Sequence, residues 1–249
     1  MKIFAVLGLS TALITGCGGP STSASPSANP SASPSGSSSD CAAVQQDWAA
    51  GGISSDWSGA NLVGCDLSGA SLGEGSFIGA NLSGANLSGA NLFVANLSGA
   101  NLTGANLTGV LANSLLANGA NLTDANLSGA DLESADFIGS DLTRADLRGT
   151  SLSYADFSDA TMTDANLLGL DLSTVNFSNA DLVNTNLSGV SSFDANFESA
   201  NLTNANLNGA SLQYTNLFGA NLANANLSNV TYCEVTMPDG TVSNVNCPP

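Results

Sequence analysis

Nucleophilic catalysis needs a hydroxyl or thiol beside a base, and this sequence supplies the first almost without the second. Serine and threonine are abundant, histidine is absent, and Lys2, Arg144 and Arg148 are the only strong bases. Paired carboxylates are the other chemical option. Asp136 and Asp156 stand 20 residues apart, with Asp131 and Glu133 close by in the chain. Carried on adjacent strands about 5 Å apart, such a pair could serve glycoside hydrolysis. With Asp131 and Glu133, the pair Asp136 and Asp156 could instead offer oxygen ligands to Ca²⁺. Solvated like charges are the plainer reading. No cysteine pair has zinc-ligand spacing, which with no histidine argues against a structural zinc site. The expectation is a chain that is not an enzyme and carries no cofactor.

What would position these residues is a repeat. From about Asp56 to Tyr232 the chain reads Ala-Asn-Leu-Ser-Gly over and over, as in Ala80–Gly84 and Ala85–Gly89. A period of five suits neither a helix nor a plain strand. Leu or Phe holds the central slot, a small residue sits two before it, and Gly follows two after. Glycine there fits the third position of a type II turn, which needs positive φ. Each pentapeptide is thus a short extended piece and a corner, with its Leu and its small residue pointing inward. Phe77, Phe137, Phe157, Phe177 and Phe197 are separated by multiples of 20 residues, and Trp57 shares their column. Four pentapeptides per turn of the chain, with the rings stacked on one wall, is the arrangement this spacing predicts.

The A(N/D)LxG motif resembles the pentapeptide-repeat family over most of the chain. The resemblance implies an all-β fold: a right-handed, quadrilateral parallel β-helix of about nine coils at roughly 4.8 Å spacing. A smooth convex rod of that kind offers no water-excluding cleft, which further disfavours catalysis. Some members of the family mimic DNA and bind gyrase, and the acidic belt from Asp124 to Glu198, with 13 of the 20 acids, would suit that. An export signal argues against it, because gyrase is cytoplasmic.

That signal occupies residues 1–16. Lys2 precedes an apolar run from Ile3 to Ile14, too short to span a membrane as a mature helix. The run ends in Ile14-Thr15-Gly16-Cys17, which resembles the bacterial lipoprotein cleavage box and implies lipidation at Cys17. A plain secretory signal with an incidental cysteine is the alternative. Residues 17–39 then read as a lipidated Cys and a flexible Ser/Pro/Ala tether. The expected location is the bacterial cell envelope, lipid-anchored, with Gly18 after the Cys leaning toward an outer membrane. The net charge of −17 repels nucleic acid and anionic lipid.

Residues 40–54 predict a helical cap stopped by Gly51-Gly52, with Trp48 covering the first coil. Residues 233–249 predict a hairpin cap around Pro238-Asp239-Gly240. A symmetric hairpin would set Cys233 opposite Asn244, so the strand ends must bend for Cys233 and Cys247 to join. Export makes disulfides possible. Cys233–Cys247 would close the hairpin; Cys41–Cys65 is the other candidate, although Cys65 could equally be a buried free thiol.

The motif lapses between Val110 and Gly119. Either Ala112 and Ala117 take central slots with Leu111 and Leu116 outward, or the chain bulges. Arg144 shares a column with Asp124 and Asp164, predicting an Asp-Arg-Asp surface ladder. Outward apolar residues crowd the two walls that start at Leu72 and Phe77: Phe93, Tyr154, Phe193 and Tyr214 foremost, interleaved with Asp131, Glu133, Asp136 and Asp156. Such a strip suits protein contacts; apolar residues scattered over a regular solenoid are the bland reading. The function expected is therefore a non-enzymatic, membrane-tethered scaffold contacting an unidentified protein, with a structural spacer and a gyrase-binding mimic as alternatives.

Overall fold

The computed structural model describes residues 38–49 and 55–247. The expected signal sequence, Cys17 and nearly all of the tether lie outside the described residues, as do residues 50–54 of the expected cap.

Parallel bridges join residues before a central slot to their counterparts 20 positions on, from Asp56↔Ser76 through to Asn216↔Thr236; between Ser151 and Asp171 no bridge forms, and Tyr154 N–H donates to Thr174 Oγ1 at 3.1 Å instead. Four pentapeptides therefore close one coil, as the Phe spacing predicts. Leu82 N–H donates to Asn101 O at 2.7 Å, and Asn81 N–H donates back to Ala60 O at 2.9 Å. Between these bonds the chain turns a corner, closed by Ala85 N–H to Leu82 O at 3.0 Å. Each wall is so short that most of the ladder is single bridges. Only where three coils pair over longer stretches do strands form: β1 (Ser191–Phe193), β2 (Ser211–Gln213) and β3 (Thr231–Cys233), parallel and in register.

Central Leu and Phe, with the small residues two before them, make one continuous core. Burial of each Leu contributes about 1.5–3 kcal/mol of gross transfer free energy, and no coil can achieve it alone. The rings of Phe137, Phe157, Phe177 and Phe197 stack with centroids 4.9–5.4 Å apart. Gly75 shows how tightly the small slot is shared: a Cβ there would lie 2.9 Å from the Phe77 ring. Corner residues obey a different rule. Their φ is near +60° for glycine and for non-glycines alike, including Val94 and Thr174. A Cβ at corners such as Gly84 meets nothing within 4 Å, so the corner constrains the backbone and leaves the side chain free.

Asn is favoured before Leu for two reasons at once. Its Oδ1 accepts the N–H two residues on, as Asn106 does from Thr108 at 3.2 Å. Its Nδ2 reaches the previous coil, as from Asn106 to Asn86 Oδ1 at 3.0 Å. Asp can fill the first role and cannot donate in the second.

The lapse at Val110–Gly119 is a degenerate coil. Ala112 and Ala117 occupy central slots, the ladder continues unbroken through both, and Leu111 and Leu116 face outward. Core volume is kept by exchange, because Val110 and Leu115 fill the slots that elsewhere hold alanine.

At the start, α1 (Ser38–Ala49) begins two residues earlier than expected. Asp40 thus sits in its first turn, where Oδ2 accepts the Asn61 N–H at 3.0 Å. Val44 enters the core and Trp48 packs against it. At the other end, β4 (Val235–Thr236) and β5 (Val242–Ser243) form the hairpin, with Gly240 at φ 83° closing the turn onto Met237 O. The register differs from the symmetric one: Val235 faces Ser243 and Thr236 faces Val242, so Asn244 bonds Glu234 instead of standing opposite Cys233.

The exchange of large and small residues yields a test. Leu115→Ala should lower stability by about 2–5 kcal/mol by opening a cavity, and Ala117→Leu alone by about 1–3 kcal/mol by overpacking. The double variant should recover most of the loss in urea denaturation; purely additive losses would mean that the two slots do not share one volume.

Candidate functional site

The two walls that begin at Leu72 and Phe77 carry most of the exposed apolar side chains. Phe93, Tyr154, Phe193 and Tyr214 are 48–66% exposed, far more than a stacked core position allows. The structure does not gather them into one strip. Phe193 and Tyr214 touch edge to face at 5.2 Å between centroids. Phe93 lies three coils from Tyr154, about 14 Å along the stack, beside the exposed Leu111 and Leu116 of the adjoining coil.

Acids lie between the two apolar groups. Asp131 bridges Leu111 and Ser151, and Asp136 bridges Leu116 and Asp156. Their oxygens are already engaged locally. Asp136 accepts from Asn118 Nδ2 at 3.0 Å and Ile138 N–H at 3.2 Å. Asp156 Oδ1 accepts from Ser158 N–H at 2.8 Å and Asn176 Nδ2 at 3.0 Å, while Asp131 makes a long contact with the Glu133 N–H. Among the described residues no three carboxylate, cysteine or histidine side chains converge as a metal ion would need. The Ca²⁺ idea at Asp136 and Asp156, with Asp131 and Glu133, thus lacks its ligand cluster.

Both arginines are occupied. Arg144 grips Asp124 with two bonds of 2.6 Å; Asp164 acts on it only through its field. The three-membered ladder is thereby corrected to a pair, since a planar guanidinium commits its fork to one carboxylate. Arg148 holds Asp146. These bonds keep the carboxyls of Asp124 and Asp146 below the usual carboxylate range. Cys41–Cys65 and Cys233–Cys247 are both disulfides, with Cα atoms 5.6 and 5.0 Å apart. Cys65 is therefore bonded and not a free thiol.

Sequence reasoning missed a buried polar pair. Ser192 takes a central slot and its hydroxyl meets Thr215 Oγ1 at 2.8 Å, both fully enclosed. The available signal was a hydroxyl in each of two inward slots, one coil apart.

The ladder, the core and the corners define a pentapeptide-repeat solenoid, and the chain belongs to that family: eight copies of pentapeptide repeats match over residues 53–84, 76–110, 118–153, 140–179, 155–191 and 193–231. The fold is accordingly the right-handed quadrilateral β-helix. Among solved structures it is similar to HetL, a pentapeptide repeat protein involved in heterocyst differentiation regulation from the cyanobacterium Nostoc sp. strain PCC 7120. That likeness has 32% identity, a TM-score of 0.58, and covers 77% of this chain and 88% of HetL. A trypsin-treated form of QnrB1, a plasmid-mediated fluoroquinolone resistance protein, matches at 19% identity and a TM-score of 0.36, covering 72% and 87% of the two chains. Rfr23 from the cyanobacterium Cyanothece 51142 matches at 34% identity and a TM-score of 0.18, covering 44% and 58%. No curated protein matches the sequence. Among the described residues no helix is long and apolar enough to cross a membrane.

Stacked Asp136 and Asp156 break the amide ladder with a like-charge contact. Asp156→Asn should stabilise the protein by about 0.2–1 kcal/mol, and the gain should shrink in 1 M salt, where the screening length is about 3 Å. A loss of stability on this substitution, measured by thermal melting at low salt, would show that the pair is held together by something else.

Proposed function

We propose that this protein is a non-enzymatic scaffold, lipid-tethered at the bacterial cell envelope, that contacts a partner protein through the aromatic and acidic face of its Leu72 and Phe77 walls. A rod of about nine coils, closed by α1 and the hairpin, would hold that face off the membrane. The observation that carries the reading is the confinement of exposed Phe and Tyr to two walls of four. A repeat tolerates almost any residue in an outward slot, so an aromatic there is not required by folding. Exposed aromatic rings beside polar and acidic neighbours are what interface anchors use. The tether rests on Cys17 and the apolar run before it. HetL's involvement in regulation is a role that a contact surface could serve, which agrees with this reading.

Two measurements test it. Labelling with an alkyne fatty acid should mark the native chain, and Cys17→Ser should abolish the label and move the protein from the membrane to the soluble fraction. An unlabelled protein that stays in the cytoplasm would overturn the envelope location and favour the DNA-mimic alternative. A photo-crosslinker at Tyr214 should capture a specific adduct that one at Thr103, on a wall without aromatics, does not. Phe193→Ser should weaken that capture. Equal capture at both positions would reduce the face to ordinary surface.

A further inference from the structure

In mid-rod the ladder opens on one wall. On the Leu72 wall, where Leu152 stacks against Leu172, the backbone N–H groups of Gly149, Leu152 and Asp171 have no acceptor among the described residues. The same two coils stay bonded on the other three walls. Leu142 N–H donates to Thr161 O at 2.7 Å, Leu147 N–H to Asn166 O at 3.0 Å and Phe157 N–H to Asn176 O at 2.7 Å. One coil before and one after, the Leu72 wall is closed again, with Leu132 N–H on Ser151 O at 2.9 Å and Leu172 N–H on Ser191 O at 2.7 Å. Gly149 gives the direction of the displacement. A Cβ there would lie 3.9 Å from Gly129 N, whereas one at Gly129 or Gly169 meets nothing within 4 Å. This corner therefore leans toward the coil before it and away from the coil after.

The cause is a wedge. Leu115 and Leu170 are the two leucines in inward slots that elsewhere hold smaller residues. Leu115 has Ala112 and Ala117 on either side, and the ladder around it is intact. Leu170 stands between Leu167 and Leu172, with Thr150 and Val190 in the stacked slots before and after it, all of them buried. No small neighbour offsets its volume, and an overfilled core relieves itself by moving backbone. A hydroxyl spans the gap that results. At the same corner of the two preceding coils, Ser114 N–H donates to Glu133 O and Ser134 N–H to Ser153 O, each at 2.9 Å. Tyr154 N–H goes instead to Thr174 Oγ1, and that hydroxyl donates to Ser173 O, the carbonyl a direct bond would have used. Thr174 is β-branched and holds φ at 63°, a conformation such residues rarely adopt. The clasp accounts for that strain.

We propose that this seam is a joint, wedged open by Leu170 and clasped by the Thr174 hydroxyl, about which the two parts of the rod rock. The opposite wall keeps its bonds and forms the hinge line, so the motion opens and closes the Leu72 wall. It thereby changes the separation between Phe93 and the Phe193–Tyr214 pair, which lie on that wall on either side of the seam, with Tyr154 on its rim. The joint is a property of the coils themselves and stands whatever those rings contact.

Amide exchange followed residue by residue in the full chain carrying Cys17→Ser tests it. Leu152 and Asp171 should exchange at least about tenfold faster than Leu132 and Ser151, their bonded counterparts one coil earlier. Leu170→Ala should remove the wedge and slow both by about the same factor. A second reading leaves the core untouched and uses nitroxide pairs on cysteines introduced at exposed corners of the Leu72 wall. Ser134→Cys with Asp194→Cys spans the seam, and Glu74→Cys with Ser134→Cys spans as many coils beside it, each pair about 14 Å apart along the stack. The pair across the seam should give a distance distribution about twice as wide. Equal exchange rates, equal widths, or fast exchange persisting in a folded Leu170→Ala variant would each overturn the proposal. Should that variant fail to fold, the rates with Leu170 in place and the two label pairs decide the matter.

Discussion

Everything in this molecule depends on the 20-residue register that sets like side chains over like. Bonds from central N–H groups to carbonyls one coil ahead hold Leu over Leu and Phe over Phe. That vertical match, more than any local propensity, excludes water from the core. Neighbouring coils supply one another's hydrophobic contacts, so stability is a property of the stack. The register also explains why departures from the motif are absorbed. Where Ala112 and Ala117 stand in place of Leu, Val110 and Leu115 restore the volume and the ladder runs on.

Polar groups follow the same vertical logic. Asn serves its own turn with Oδ1 and the coil before it with Nδ2, so a column of Asn is a self-satisfied amide ladder. Each Asp in such a column is an acceptor without a donor, and its neighbour must compensate. Asn118 and Asn176 do so around Asp136 and Asp156. Arg144 and Arg148 are consumed by Asp124 and Asp146. The outer surface is left almost wholly neutral or negative, which limits the surfaces it can approach.

Since the inward slots are committed to folding, recognition must use the outward slots and the two ends. Those are also where regularity stops. Aromatic residues collect on two walls, and the final half-coil leaves its core leucines half-open. The first feature supports contact with another protein, and the second marks where the stack has no further coil to cover it. Neither depends on a catalytic group or a cleft.

Much of the fold was legible in the sequence because a period of five and a Phe period of 20 are periodicities that only a four-sided coil satisfies. Inward Leu, turning corners and the Cys233–Cys247 pair could be read from slot and position, whereas the inward slot of Cys65 suited a free thiol as well as the bond to Cys41 that the structure shows. Other features could not. The partition of Phe93 from Tyr154, the choice of Arg144 for Asp124 over Asp164, and the Ser192–Thr215 pair depend on how far apart coils place their side chains. The hairpin register moved by one residue because Glu234 and Asn244 bond each other. The half-open final coil was equally invisible, because it depends on which wall the chain reaches when the repeat stops. Periodic burial is a one-dimensional property and can be read along a chain, whereas the pairing of exposed groups and the shape of an end are set by three-dimensional distances that no local pattern encodes.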